Sequence, residues 1–154
     1  MQLLLIRHTH ALAGENDAAR PLSERGRKQI RVLARFLKRA EVFAADELWH
    51  SPLVRARDTA ALLRQRLRAS PRLVAVAGLA PRDDPTLIAA RLKQRRQPLV
   101  IVGHEPHLSA LASLLVTGAA TPPVFVLKKC AALALTRDRG RWTVQWQVSP
   151  ALLK

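Results

Sequence analysis

Two short runs of aliphatic residues limit the folds that are open to this chain. LLLI at residues 3–6 and LVIV at residues 99–102 are apolar at every position and do not alternate with polar residues. A strand of this kind must be covered on both faces, as happens at the centre of a parallel sheet flanked by helices. Both runs stop abruptly, the first at Arg7 and His8 and the second at Gly103 and His104.

The rest of the chain predicts strands that alternate with helices. Ser23 and Pro52 are typical of helix starts, and Asp83 or Asp84 could cap a third helix. Ser51 is interpreted as the turn before the second helix. The predicted helices cover residues 24–40, 53–69, 86–96 and 107–116, and the predicted strands cover residues 2–6, 47–50, 72–79 and 99–102.

After residue 121 the pattern changes to strands alone. VFVLKK, AALALTR and RWTVQWQV predict three strands at residues 124–129, 131–137 and 141–148, with a turn at residues 138–140 between the last two. Trp142 and Trp146 are spaced by four within one strand, so we expect them to face the same side. The whole chain, residues 1–154, is predicted to be a single α/β domain with a central, mostly parallel sheet, flanking helices and added strands in the C-terminal part.

The charge of the chain predicts an anionic partner without naming it. Lysine and arginine total 26 against 11 acidic residues, a formal net charge of +15. Such a surface suits nucleic acid, an acidic protein or a phosphorylated substrate. Aromatic residues make up only 4% of the chain, with no tyrosine, so stacking on single-stranded nucleic acid is not expected.

Composition also predicts where the protein works. The single cysteine, Cys130, cannot close an intrachain disulfide and lies in an apolar run, so a buried position is expected. No secretory signal is visible in the sequence, and none is expected; no apolar run reaches the roughly 20 residues that a bilayer crossing needs. We therefore expect a cytoplasmic protein that does not contact the membrane.

The chemistry is predicted at the strand ends. In open α/β sheets, ligands bind beyond the carboxyl ends of the strands. If the strands that precede them are neighbours, Arg7, His8, Arg55 and His104 converge on one pocket. Two guanidinium groups and two imidazoles suit a phosphoryl group, and one histidine could accept that group on a ring nitrogen. The HExxH spacing of a zinc site is missing around His107, so no metal is expected.

A family resemblance strengthens this interpretation. The chain carries MQLLLIRH at its start, RPLSERG before the first helix, SPLVRARDTA at the second helix, then GHEPHL, and TPPVF and WQVSPALLK in the tail. In this order and spacing, these motifs resemble the histidine phosphatase superfamily, and within it the short phosphohistidine phosphatases of the SixA type. The resemblance covers the full length of the chain. It implies the histidine phosphatase fold and a reaction that needs no cofactor.

The resemblance also implies roles for individual residues. His8 would be the nucleophile that becomes phosphorylated. Arg7 and Arg55 would clamp the phosphoryl oxygens, and His104 would complete the pocket. Arg20, in RPLSERG, would either support the phosphate loop or bind phosphate itself.

Three further residues near the predicted pocket bear on how Arg20 and the nucleophile are held. Asp17 could pair with Arg20. The family has glycine after its nucleophile, whereas this chain has Thr9, which would be strained if that position needs a positive φ. His10 is interpreted as a residue on the rim of the pocket.

The general acid is the least defined part of the predicted site. Asp83, Asp84 and Glu105 are the acidic residues nearby, and none is singled out by the sequence. An alkoxide leaving group needs a proton, whereas a phosphohistidine leaves as an imidazole whose conjugate acid has a pKa of roughly 6.5. A site without a defined general acid therefore favours a substrate with a P–N bond over a phosphate ester.

Three functions follow from these features. The first is a metal-independent phosphohistidine phosphatase that acts on a signalling protein, such as a histidine phosphotransfer domain. The second is a phosphatase of the same fold that acts on small phosphomonoesters. The third is a non-catalytic module that binds phosphate and docks an acidic partner or nucleic acid through its basic surface.

Overall fold

The protein is an α/β sandwich built on one sheet, seen in a computed structural model that describes residues 1–42, 45–67 and 70–153. Short 3₁₀ turns lie at Asp17–Ala19 and Pro150–Leu152. In chain order the other elements are β1 (Gln2–Arg7), α1 (Glu24–Arg39), β2 (Glu47–His50), α2 (Val54–Arg66), β3 (Arg72–Ala75), α3 (Pro85–Gln94), β4 (Leu99–Gly103), α4 (His107–Thr117), β5 (Ala132–Asp138) and β6 (Arg141–Val148).

The sheet has the order β3-β2-β4-β1-β5-β6, with its first four strands parallel. β5 runs antiparallel to β1, and β6 runs antiparallel to β5. The predicted alternation of strands and helices and the mostly parallel sheet are confirmed. The predicted second helix extends to residue 69, but residues 68 and 69 lie outside the described part of the chain.

Each apolar run supplies side chains to both faces of the sheet. Leu3 and Leu5 of β1 join a core with α3 and α4, whereas Leu4 and Ile6 join a second core with α1 and α2. All four side chains are at most 1% exposed. This two-sided burial explains why the run contains no polar residue, and it fixes the backbone that leads into Arg7.

One predicted strand is absent. Residues 124–129 do not pair with the sheet, and Val124 and Val126 are 62% and 73% exposed. β5 already occupies the edge of β1 that such a strand would need. The segment is held by side chains instead: Val124 donates its N–H to Ser113 Oγ, and the Leu127 carbonyl accepts from Arg7.

The prediction that Trp142 and Trp146 share a face is also wrong. Trp146 lies opposite Ala134, whereas Val144 lies opposite Leu135, so the strand carries an extra residue at this point. A bulge of this kind shifts the alternation of side chains by one residue. Trp142 therefore packs in the core that contains α3 and α4, and Trp146 packs edge-on against Phe36 of α1.

The start of α1 packs closely against the chain that follows β1. Ser23 caps the helix by accepting the N–H of Gly26 at 3.0 Å, as its predicted role requires. A Cβ atom on Gly26 would lie 2.2 Å from the His10 carbonyl oxygen and 2.8 Å from Thr9 Oγ1. A glycine at this position lets the helix approach the backbone of residues 9 and 10.

Gly26→Ala is expected to lower the free energy of unfolding by about 2 kcal/mol or more. Alanine in a helix gains about 1 kcal/mol over glycine, but a clash with the backbone carbonyl of His10 costs more than this gain. Urea unfolding of the two proteins measures the difference. Gly14→Ala is the control, because its Cβ would meet nothing closer than Arg20 Cγ at 3.6 Å. Equal stability of Gly26→Ala and the parent protein would contradict this packing.

Candidate active site at the carboxyl edge of the sheet

The order of the strands brings the predicted residues together. β4 lies between β1 and β2, so the ends of all three strands meet at one edge of the sheet. The His8 N–H donates to the Gly103 carbonyl at 2.9 Å, which ties the end of β1 to the end of β4. The rings of His8 and His104 have their centroids 4.9 Å apart. Neighbouring strands therefore bring these two histidines together, as the sequence predicts.

The contacts of His8 favour a neutral imidazole with a free nitrogen at the site. His8 Nδ1 lies 2.7 Å from the Thr9 carbonyl oxygen, which can only accept, so Nδ1 carries the ring proton. The lone pair is then on Nε2. Burial lowers the pKa of His8 to about 2, and the neighbouring Lys129 and His104 add to this effect. At neutral pH His8 has the form that a nucleophile needs.

His104 is also buried, and its ring contacts the hydroxyl of Ser51. Its Nε2 lies 2.8 Å from Ser51 Oγ, and Ser51 Oγ also accepts the N–H of Leu53. The Ser51 hydroxyl can donate to Nε2, which leaves the His104 ring proton on Nδ1. Burial lowers the pKa of His104 to about 3, with a further contribution from Arg55. Ser51 is therefore more than a turn residue, since it orients the second histidine, a role that its sequence position does not reveal.

The guanidinium groups of the two predicted arginines are each held by hydrogen bonds from their Nη atoms. Arg7 Nη1 donates to the Leu127 carbonyl at 2.9 Å. Arg55 donates from Nη1 to the Asp17 carbonyl at 2.8 Å and from Nη2 to the Asp17 carboxylate at 3.2 Å. The Nε atoms of Arg7 and Arg55, and Nδ1 of His104, are buried without a hydrogen-bond partner among the described residues. Each is a donor suited to the oxygens of a phosphoryl group.

Arg20 is connected to the site by Asp17, which forms ion pairs with both Arg20 and Arg55. Arg20 Nη1 lies 3.2 Å from Asp17 Oδ1, which is the predicted pair, and Arg20 Nε donates to the Leu12 carbonyl at 2.8 Å. The hydrogen bond from Arg20, followed by the charge of Arg55, lowers the pKa of Asp17. The geometry gives Arg20 a supporting position, because it helps to hold the carboxylate that holds Arg55. Direct phosphate binding by Arg20 stays a prediction.

Thr9 fits its position without backbone strain. Its φ lies outside the left-handed region, which among the described non-glycine residues is occupied by Glu41, Cys130 and Arg139. Thr9 is fully buried and donates its N–H to Thr59 Oγ1 at 3.2 Å. The strain considered for a threonine in place of the family's glycine is therefore absent.

The acidic candidates are engaged elsewhere. Asp84 caps α3 by accepting the N–H of Thr86, and Asp83 accepts the N–H of Ala80. Glu105 accepts from the N–H and hydroxyl of Ser109. Within the described part of the chain, no hydrogen bond joins any of them to His8 or His104. A role for one of them as general acid stays a prediction.

His10 and Lys129 complete the surroundings of His8. His10 is half-buried, with Nδ1 at 2.7 Å from Ser23 Oγ, in keeping with a position on the rim. Lys129 Nζ lies 3.3 Å from His8 Nε2, a contact that sequence reasoning missed because residues 124–129 were predicted to be a strand.

Across the described residues, no three His, Cys, Asp or Glu side chains form a group that could hold a metal ion. No described helix has the length and apolar character of a membrane span.

Comparisons with known proteins agree with this geometry. A sequence model of the histidine phosphatase superfamily (branch 1) matches residues 3–80. The phosphohistidine phosphatase SixA of Escherichia coli (strain K12) is 30% identical over 159 aligned positions, covering 100% of this chain and 97% of the relative.

Solved structures show the same likeness. The protein histidine phosphatase SixA in complex with tungstate superposes with a TM-score of 0.89 at 29% identity, with 100% of both chains covered. The α-ribazole phosphatase of Shigella flexneri superposes with a TM-score of 0.81 at 20% identity, with 97% of each chain covered, and so shares the fold.

Proposed function

The chain belongs to the histidine phosphatase superfamily and is a phosphatase; from this premise we propose that it hydrolyses phosphohistidine on a protein through a phosphorylated His8. The observation that carries the proposal is the state of His8, a buried, neutral imidazole whose Nε2 faces the cationic site. The similarity to SixA over the full length of both chains supports the choice of substrate.

The first step is phosphoryl transfer to His8. Before the transfer, the free ring nitrogen of the substrate phosphohistidine takes a proton from solvent. The lone pair of His8 Nε2 then forms a bond to phosphorus, and the P–N bond of the substrate breaks, with its electron pair returning to the protonated substrate ring, which leaves as neutral imidazole. Arg7, Arg55 and His104 hold the phosphoryl oxygens during the transfer. The Thr9 carbonyl keeps the proton on His8 Nδ1 and stabilises the charge that develops on the ring.

The second step is hydrolysis of the phosphorylated enzyme. A water oxygen attacks phosphorus, the bond to His8 Nε2 breaks, and the electron pair returns to that nitrogen. Inorganic phosphate leaves with the oxygen of the water, and the released proton passes to the phosphate or to solvent. The sum of the two steps is phosphohistidine plus water giving histidine plus phosphate.

The leaving group decides between a P–N bond and an ester. Asp83, Asp84 and Glu105 hydrogen-bond to groups other than the two site histidines. When an ester oxygen leaves without a proton from the enzyme, the reaction lacks general acid catalysis, which typically raises the rate by about 10²–10⁴-fold. An imidazole leaves with far less need of that proton, because its conjugate acid has a pKa of roughly 6.5. The site therefore suits phosphohistidine better than a phosphomonoester.

The partner and setting form part of the same proposal. The protein substrate is of the histidine phosphotransfer type, which places the enzyme in signal transduction. A net charge of +15 favours encounter with an acidic phosphoprotein. The proposed setting is the cytoplasm, and the buried free Cys130, which does not depend on an oxidising compartment, supports it.

The second candidate function is hydrolysis of a small phosphomonoester. The observation that favours it is the fold shared with the α-ribazole phosphatase of Shigella flexneri. The family and the full-length relative favour both enzymes over a module that only binds phosphate.

The test compares two peptides of one sequence, one with phosphohistidine and one with phosphoserine at the same position. We expect kcat/KM to be at least about 10²-fold higher for the phosphohistidine peptide, because only the serine alkoxide needs a general acid. Phosphate release from each peptide at pH 7 is the measurement. A preference for phosphoserine, or for a small ester, would replace the proposal with the second candidate.

A further inference from the structure

Lys129 is the cation nearest to the reacting atom of His8 in the described contacts. Its ammonium nitrogen lies 3.3 Å from Nε2, the atom that would carry the phosphoryl group. Lys129 and Arg7 are also among the residues that line a cleft of about 340 Å³. The family resemblance assigns no role to this position. The contact therefore needs its own explanation.

The backbone around Lys129 is fixed on both sides. Leu127 is held by Arg7, and the Cys130 N–H donates to the His8 carbonyl at 3.3 Å. Cys130 adopts a left-handed conformation with φ of 60°, which non-glycine residues rarely adopt. This turn aims the side chain of Lys129 at the end of β1. The nucleophile and the lysine thus share one rigid support.

The charges around Lys129 are mostly of its own sign. Arg7 on β1, Arg20 in the loop before α1 and Arg55 on α2 are close enough for their charges to lower the pKa of Lys129, and Asp17 is the acidic group that offsets them. His8 and His104, the titratable rings beside it, are neutral at pH 7. Burial and the three guanidinium groups lower the pKa of Lys129 to about 8. None of the ion pairs seen in the described residues includes Lys129.

We propose that Lys129 is a phosphate-binding residue of this site, whose ammonium contacts a phosphoryl oxygen in the substrate complex and in the phosphorylated enzyme. The proposal deepens the proposed function, since it adds a ligand to the same phosphoryl group. No bond to Lys129 forms or breaks. In the free protein its ammonium can donate to the lone pair of His8 Nε2, and in the complex it moves the short distance to an oxygen.

Tungstate binding tests the contact without turnover. We expect Lys129→Met to bind tungstate about 10- to 100-fold more weakly than the parent protein at pH 7, as measured by titration calorimetry. Lys129→Arg is expected to stay within a few-fold, because the charge and donors remain. Lys38→Met is the matched control, since it removes the same charge from an exposed residue of α1 that does not line this cleft. Unchanged affinity of Lys129→Met would overturn the proposal.

The pH profile for a small ester, para-nitrophenyl phosphate, tests the charge of Lys129. We expect kcat/KM to fall above pH 8 in the parent protein as the ammonium loses its proton. Lys129→Arg should retain activity without this fall, because arginine stays charged. Lys129→Met should be roughly 10²-fold slower at pH 7, also without the fall.

These results separate the two proposals. If the protein does not dephosphorylate phosphohistidine, the proposed substrate is wrong. The tungstate affinity and the pH profile with the ester would still test whether Lys129 binds phosphate. If the fall above pH 8 persists unchanged in Lys129→Arg, the ammonium of Lys129 is not its origin and the proposal fails.

Discussion

His8→Ala is expected to lower kcat by roughly 10⁴–10⁶-fold, the range seen when an enzyme loses its nucleophile. The reason is chemical, because alanine offers no atom that can take the phosphoryl group. His104 cannot substitute for it, since its Nε2 faces Ser51 Oγ. The cavity left by the ring lies at the edge of the sheet, so the two cores on its faces remain packed.

Rapid-quench labelling measures the intermediate directly. The parent protein, mixed with a radiolabelled phosphohistidine peptide, should acquire phosphate that is stable to alkali and lost in acid, whereas His8→Ala should acquire none. His10→Ala is the matched control, because it removes a histidine from the rim and should still be labelled. Labelling of His8→Ala at the level of the parent would assign the nucleophile to another residue.

Arg55→Ala is expected to lower kcat/KM by about 10³-fold or more, as is typical when an arginine that stabilises a transferring phosphoryl group is lost. Arg55 is 5% exposed, and its hydrogen bonds to Asp17 hold the guanidinium in one orientation. Arg55→Lys should recover little of this loss, because an ammonium lacks the planar fork of donors. Both variants are measured by kcat/KM with the phosphohistidine peptide.

Stability separates this effect from unfolding. The Asp17 side chain is 65% exposed, so removing Arg55 leaves a solvated carboxylate rather than a buried unpaired charge. Urea unfolding of Arg55→Ala should therefore remain cooperative, with tungstate binding weakened in parallel with kcat/KM. A variant that binds tungstate normally and keeps its activity would exclude Arg55 from the phosphate site.

The helices and strands of this fold were predictable where the hydrophobic pattern and the capping residues of the sequence match the burial and capping seen in the structure. The run at residues 3–6 is buried on both faces, and Ser23 and Asp84 cap helices as their side chains allow. The meeting of His8 and His104 was predictable only on the condition that their strands are neighbours. Local sequence does not state strand order, so the family resemblance supplied it.

Long-range contacts set the limit of prediction. VFVLKK has the composition of a strand, but β5 occupies the available edge, and Lys129 then approaches His8 from a loop. Trp146 changes face through a bulge whose extra residue has no signature in the sequence. Ser51 meets His104 across 53 residues. In each case the decisive partner is distant along the chain.

The burial of Cys130 bears on the redox behaviour of the enzyme. Its thiol is 0% exposed, and burial raises its pKa, so the thiolate that peroxide attacks is scarcely formed. A phosphatase with a cysteine nucleophile is silenced when that sulfur is oxidised. With a histidine as the proposed nucleophile and its single sulfhydryl shielded, this protein should keep removing phosphate during an oxidative burst that stops thiol-dependent phosphatases.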